Sequence, residues 1–255
     1  MAYREKVTIV RADEIATDIY EMCFSTKNIA KEAKPGQFVS VYSNDGSRLL
    51  PRPISICGIE GDTLRIVYRA IGKGTQEFAT MHAGQTLEVQ GPLGNGYDIS
   101  KVSKERKAIL FGGGIGIPPM LELAKQLDCE KSIVLGYRDE LFLNDEFEAY
   151  GKVYLATEDG SAGTKGNVLD AVKACGIEGD ILFACGPTPM LRAIKQYAKE
   201  NHIECWISME ERMACGIGAC LACVCKSTQV DDHSKVHNKR VCKEGPVFNA
   251  EEVEL

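Results

Sequence analysis

Four cysteines carry the sharpest chemical signal in the sequence. Cys215, Cys220 and Cys223 are spaced C-x4-C-x2-C, and Cys242 supplies a distant fourth thiol. Thiolates at this spacing recur as ligands of a [2Fe-2S] cluster. The residues between them are small: Gly216, Gly218, Ala219 and Ala222 let the backbone wrap an inorganic core and aim amide N–H groups at its sulfurs. The competing use of four cysteines is structural zinc, which usually draws its thiols from two C-x2-4-C hairpins; only one is present here. Cys225 breaks the x2 spacing and reads as a bystander. Cys23, Cys57, Cys129, Cys175 and Cys205 stand singly in apolar runs and are expected as small core residues.

Two further stretches suit a phosphate-bearing cofactor. Arg52-Pro53-Ile54-Ser55 offers a charged fork for a phosphate and a hydroxyl for the edge of a ring. In Arg69-Ala70-Ile71-Gly72-Lys73-Gly74-Thr75, Gly74 and Thr75 open a helix whose first amides can hold a second phosphate oxygen. Either stretch alone would pass for surface polarity, with Pro51 and Pro53 marking an edge strand. Together, and followed by Gly91-Pro92-Leu93-Gly94, they suit one phosphate-bearing cofactor better than surface polarity. Downstream, Gly112-Gly113-Gly114-Ile115-Gly116-Ile117-Pro118-Pro119 joins a strand to a helix and permits close approach of a pyrophosphate. It departs from G-x-G-x-x-G, whose last glycine would fall at Ile117. Cys185-Gly186-Pro187 ends a later strand, and Pro187 alone is an ordinary helix-start device.

These motifs need three kinds of support. From Glu5 to Leu93 short β-rich runs are broken by Gly, Pro and Asp, which predicts a small antiparallel barrel interrupted by one short helix, with Thr75 as N-cap and Glu77 in its first turn. After Lys107 strands alternate with helices, the pattern of a parallel sheet covered on both faces. Beyond Met209 the alternation stops, a polar stretch runs from Ser227 to Arg240, and too little apolar material remains for an independent core. A bound cluster would supply the cross-links there. The expected class is a multidomain α+β chain: residues 1–100 an antiparallel β-barrel for the phosphate-bearing cofactor, 101–208 an α/β nucleotide domain with a parallel sheet, and 209–255 a small [2Fe-2S] domain.

The 255 residues, 44% hydrophobic, allow two modest cores. A net charge of −6 with mixed signs leaves no continuous basic surface for nucleic acid. No secretory h-region or bilayer-length apolar run is present, so a cytoplasmic protein without membrane contact is expected. Eleven cysteines, an odd count with five crowded between Cys215 and Cys242, argue for metal over disulfides.

In their order along the chain, Arg52 to Ser55, Arg69 to Ile71, Gly74-Thr75, the glycine run and the Cys-Gly-Pro-x-x-Met motif at Cys185 to Met190 resemble the ferredoxin-NADP reductase superfamily. With Met209 to Cys223, the chain is similar over nearly its whole length to dihydroorotate dehydrogenase B electron-transfer subunits. The resemblance implies FAD on Arg52, Pro53, Ile54, Ser55, Arg69, Ala70, Ile71, Gly74 and Thr75. It implies exchangeable NAD on Gly112, Gly113, Gly114, Gly116, Cys185, Gly186 and Pro187, bordered by Thr157 to Ser161. Asp139 and Glu140 beside Arg138 would repel a 2′-phosphate and so favour NAD over NADP. It further implies an FMN-containing dihydroorotate dehydrogenase catalytic subunit as partner, in a heterotetramer of two plus two, with electrons passing from FMN through [2Fe-2S] and FAD to NAD in pyrimidine synthesis. One departure is the ending Glu251-Glu252-Val253-Glu254-Leu255, where plant-type relatives place an aromatic over the flavin. Two rivals stay open: a sibling reductase subunit of a hydrogenase or transhydrogenase complex, and a zinc-stabilised nucleotide-sensing module.

Overall fold

The computed structural model describes residues 2–230 and 235–255; four residues of the polar stretch expected from Ser227 to Arg240 therefore lie outside the described residues. The N-terminal half begins with β1 (Tyr3–Ala16), β2 (Ile19–Ser25), α1 (Ile29–Glu32), β3 (Phe38–Tyr42) and β4 (Arg52–Glu60), followed by β5 (Thr63–Arg69), α2 (Lys73–Ala79) and β6 (Thr86–Leu93). The six strands close into a barrel in the order β1-β2-β5-β4-β3-β6. Its interior is filled by inward residues such as Ile9, Met22, Phe24, Ile56 and Ile66.

Strand β2 buries a carboxylate. Glu21 interrupts its apolar run, yet is only 3% exposed, because Arg11 on β1 and Arg65 on β5 both pair with its carboxylate. The prolines near Arg52 are also accounted for: Arg52 to Ser55 pair only with β3, and pairing of β4 with β5 starts at Ile56. Pro53 thus sits on a locally open edge, where a missing N–H breaks no ladder. The short helix begins earlier than expected. Gly72 is the N-cap and Thr75 the third helical residue, its hydroxyl accepting from the Gly72 N–H at 3.1 Å. Glu77 lies outside the first turn and instead accepts from the Asn44 N–H at 2.8 Å and pairs with Arg48.

The second half continues as β7 (Lys107–Gly113), α3 (Ile117–Gln126), β8 (Glu130–Tyr137), α4 (Asn144–Phe147), β9 (Lys152–Thr157), β10 (Thr164–Lys165), α5 (Val168–Cys175), β11 (Ile181–Cys185), α6 (Thr188–Asn201) and β12 (Glu204–Ser208). Two short strands, β13 (Val224–Lys226) and β14 (Asn238–Arg240), pair antiparallel, and β15 (Val247–Asn249) follows. The main sheet has the order β10-β9-β8-β7-β11-β12-β15. All neighbours in it are parallel except β15, which runs antiparallel to β12. The sheet therefore continues past Met209, where the alternation was expected to stop. The chain after β7 builds outward through β8 and β9, then returns to the other side of β7 as β11. A crevice opens at this reversal, at the carboxyl ends of β7 and β11.

Barrel and sheet are tied together by buried polar contacts. Glu122 on α3 is 2% exposed and accepts from the Ile59 N–H at 2.9 Å, while Lys125 donates to the Ile59 carbonyl at 3.1 Å. Arg65 reaches across to Glu146 on α4. Among the described residues no helix is long and apolar enough to cross a membrane. Among the described residues one buried hydroxyl is left unmatched: Tyr68, which packs edge-on to Phe78, has no hydrogen-bond partner for its Oη. Tyr68→Phe is expected to raise stability by about 1 kcal/mol, since it removes an unsatisfied buried polar group. Denaturant unfolding measures this directly.

Candidate functional site

The four motif cysteines come together on irregular backbone between β12 and β15. Gly216, Gly218 and Leu221 have φ of 67°, 84° and 58°, the left-handed turns that allow so tight a wrap. Amides point inward at sulfur. The Ala219 and Ile217 N–H groups donate to Cys215 Sγ at 3.3 and 3.5 Å, Gly218 N–H to Cys242 Sγ at 3.1 Å, and Cys242 N–H to Cys223 Sγ at 3.4 Å. Among the described residues no three His, Cys, Asp or Glu side chains stand close enough to hold one metal ion. The thiols fall instead into two pairs, Cys215 with Cys220 and Cys223 with Cys242. Burial acts to raise the Cys215 pKa, but the amides of Ile217, Cys220 and Ala219 outweigh it and bring it down to about 6. Cys242 is pushed up to about 12 by burial and by Cys223 beside it. Cys225 lies on β13, buried in the apolar layer, its thiol raised by burial to about 11. Of the cysteines expected in the core, Cys23, Cys57 and Cys205 are buried, Cys129 is half-buried, and Cys175 is exposed at the end of α5.

This loop rests on the barrel. A side chain at Gly216 would come within 3.0 Å of Ser40 Oγ on β3 and 3.3 Å of Leu93 on β6. Gly91-Pro92-Leu93-Gly94 ends the barrel under the cysteines, and the next residue, Asn95, bonds to the Cys242 segment. Its N–H donates to the Gly245 carbonyl at 2.6 Å and its side chain to those of Lys243 and Glu244 at 3.2 and 3.0 Å. Asn95 carried no signal in the sequence, where it reads as an ordinary turn residue. The final residues, which lack an aromatic, dock on α6: Lys195 bonds the Val253 carbonyl and Arg192 that of Leu255.

The two barrel motifs also meet. Gly74 is buried because the Arg52 guanidinium lies over it, in space that any side chain there would fill. Arg52 and the start of α2 thus form one cationic, amide-bearing corner. Ile54 and Ile56 face the barrel core, whereas Cys57 belongs to the layer shared with the α/β sheet, so alternation along β4 directs Ser55 to that same side. Ser55 pairs with Phe38, whose ring faces Gly216 of the cysteine loop.

At the crevice, the glycine run and the Cys-Gly-Pro motif touch through backbone. A Cβ at Gly116 would lie 2.5 Å from the Cys185 carbonyl carbon and 2.6 Å from Gly186 Cα; one at Gly113 would meet Met190 Sδ at 2.5 Å and Pro187 at 3.2 Å. Gly112 packs on Ile117 at the start of α3. Gly114 has φ 52° and nothing beside it. Two helix starts, α3 and α6, converge here and present positive dipole ends to an anion. Burial raises the Cys185 thiol to about 12. A cleft of about 320 Å³ leads in between the layers, lined by Gly114, Arg69, Arg138, Asp139 and Glu140. Arg69, expected at the flavin, lines this cleft. Thr157 to Ser161 form a turn against the Asp139 loop, with Ser161 Oγ 3.4 Å from the Asp139 carbonyl. Because Gly116 abuts backbone that cannot yield, Gly116→Ala is expected to cost about 1–3 kcal/mol, seen as a lower denaturation midpoint.

The barrel, the glycine-lined crevice and the cysteine loop seated between them define a ferredoxin-reductase-like electron carrier with an added iron-sulfur segment. Residues 210–254 match the family model for the iron-sulfur cluster binding domain of dihydroorotate dehydrogenase B. The chain belongs to the family of dihydroorotate dehydrogenase B (NAD(+)) electron transfer subunits: it is 45% identical to that of Fusobacterium nucleatum over 98% of each chain, and 43% identical to that of Geobacillus sp. WCH70 over 100% of each. A solved NADH-dependent reduced ferredoxin-NADP oxidoreductase, described for flavin-based electron bifurcation, superposes with a TM-score of 0.86 at 31% identity, covering 97% of this chain and 89% of its own. A flavohemoglobin from Malassezia yamatoensis shares the fold at TM-score 0.67 and 23% identity, over 78% of this chain and 57% of its own.

Proposed function

We propose that this chain carries electrons between NAD and a catalytic partner through FAD and a [2Fe-2S] cluster, as the electron-transfer subunit of a dihydroorotate dehydrogenase. The observation that carries the reading is the seating of the paired thiols against the barrel, Gly216 on Ser40 and Leu93. It sets the cysteine loop on β3 at Ser40, which pairs with Pro53 beside Arg52.

Each residue set has a distinct task. Cys215, Cys220, Cys223 and Cys242 would hold the cluster. Arg52 with the amides of Gly74 and Thr75 would hold the FAD pyrophosphate, Ser55 would meet the ring, and Pro53, Arg69, Ala70 and Ile71 would shape its walls, while Ile54, expected among them, turns its side chain into the barrel core and can offer only backbone. Gly112, Gly113, Gly114 and Gly116, with Cys185, Gly186 and Pro187, admit the NAD pyrophosphate and nicotinamide. Asp139 and Glu140 disfavour a 2′-phosphate. When bound, the flavin exchanges an electron pair with nicotinamide and single electrons with iron-sulfur. The chain supplies no general acid or base to that exchange. Its residues stack the rings and keep water out.

The partner is an FMN-bearing catalytic subunit, in a two-plus-two assembly. Its docking face is the rim of the cysteine loop, where Ile217, Leu221 and Val224 are exposed around Cys220. The test is orotate reduction by NADH, using the complex purified without oxygen and following flavin and cluster absorption together. Dihydroorotate formation supports the assignment. Bleaching of both chromophores with orotate untouched would transfer the chain to another redox complex, a reading the oxidoreductase neighbour favours.

A further inference from the structure

Arg240 lies outside every motif read from the sequence, yet it makes the densest set of polar contacts near the cysteines. It closes β14 and pairs there with Val224. Its Nε meets both Glu244 carboxylate oxygens at 3.1 and 3.0 Å, Nη2 pairs with the same carboxylate, and the Arg240 N–H donates to it at 2.7 Å. This fork fixes the guanidinium. The remaining nitrogen, Nη1, donates to the Gly218 carbonyl at 2.9 Å.

That carbonyl belongs to the peptide whose N–H, on Ala219, donates to Cys215 Sγ at 3.3 Å. The guanidinium charge and a cluster-ligand sulfur are thus joined through one peptide group. A cation on the oxygen side polarises the peptide and makes its N–H a stronger donor, since hydrogen bonds in a chain reinforce one another. Gly218 is held in this pose at φ 84°, with Lys243 packed where a side chain would stand, and its own N–H donates to Cys242 Sγ at 3.1 Å. Hydrogen bonds to the sulfurs and nearby charge set iron-sulfur potentials.

We propose that Arg240 is a positioning residue that raises the reduction potential of the cluster through the Gly218–Ala219 peptide, with Glu244 as the counter-charge that limits the rise. The inference rests on the cluster reading above. Stronger N–H donation and positive charge both favour the electron-rich, reduced cluster. Removing Arg240 lowers the potential; neutralising Glu244 raises it.

The experiment is an EPR-monitored redox titration of the full chain in its native complex, for unsubstituted protein, Arg240→Gln and Glu244→Gln. Arg240→Gln is expected to shift the one-electron equilibrium of the cluster at least tenfold toward oxidised, about 59 mV lower. Glu244→Gln is expected to shift it the opposite way, and the flavin potential stays put in both. An unchanged cluster potential in a fully loaded variant overturns the inference. Should Arg240→Gln fail to retain iron, Glu244→Gln decides alone: a rise supports the proposal, and no change or a fall refutes it. Absence of any cluster signal from the unsubstituted protein would instead defeat the cluster reading itself.

Discussion

Cys215→Ser or Cys242→Ser is expected to abolish the cluster's visible and EPR bands and all electron delivery to the partner, while NADH still bleaches the flavin. The separation follows from the architecture. The crevice at Gly113, Gly116 and Cys185 and the cationic corner at Arg52 and Gly74, the proposed nicotinamide and flavin sites, are built from elements the cysteine loop does not complete. Each cysteine, by contrast, is half of a pair, and Cys215 and Cys242 between them receive three of the inward amides. A serine oxygen is a harder, more basic ligand and a shorter reach from the same backbone. Cys225→Ser is the control: its side chain lies in the apolar layer, and the bands should remain. Survival of the cluster in both single replacements, or its loss in the control, would move the ligand assignment to Cys225.

The chemistry-bearing residues were legible because spacing and small-residue content are local properties. The C-x4-C-x2-C run, the glycines before Pro118 and the Arg52 and Gly74 stretches each need their residue types in sequence, and the fold brings each to an element end. What the sequence concealed depends on partners far along the chain. Strand β2 looked broken because Glu21 is polar, and only its two arginines, on β1 and β5, make its burial tolerable. The three-residue strand β15 is too short for a periodic signal, and it exists because β12 offers it an edge. Thr75 displayed the chemistry of an N-cap, yet Gly72 won that position because Thr75 serves better one turn inside, bonding back to Gly72. Arg69 was expected at a flavin by resemblance of its motif; that it lines the cleft with Gly114 and Arg138 follows from barrel closure, which no local pattern encodes.

Arg65→Met is expected to destabilise the protein by about 3–5 kcal/mol, a large fraction of the usual 5–15 kcal/mol of a folded domain. Arg65 side-chain exposure is 17% and that of Glu21 is 4%, so the pair is held almost out of water. Burial works against the arginine's charge, but the hydrogen bonds it donates to Glu146 and the charge of Glu21 outweigh it and raise its pKa. Deleting the guanidinium leaves the Glu21 carboxylate buried with Arg11 alone, whose own side chain is 55% exposed and so screened by solvent. The contact with Glu146 on α4 goes at the same time, and with it one of the ties between barrel and sheet. Two measurements separate these losses. Urea unfolding of Arg65→Met with Glu21→Leu is expected to recover most of the stability, because replacing both members of a buried pair by apolar groups is often neutral or better. Glu146→Gln alone, at an exposed carboxylate, should cost no more than about 1 kcal/mol. If the double variant stays as unstable as the single one, the aliphatic stem of Arg65 and its tie to α4, rather than the stranded charge of Glu21, hold the barrel in place.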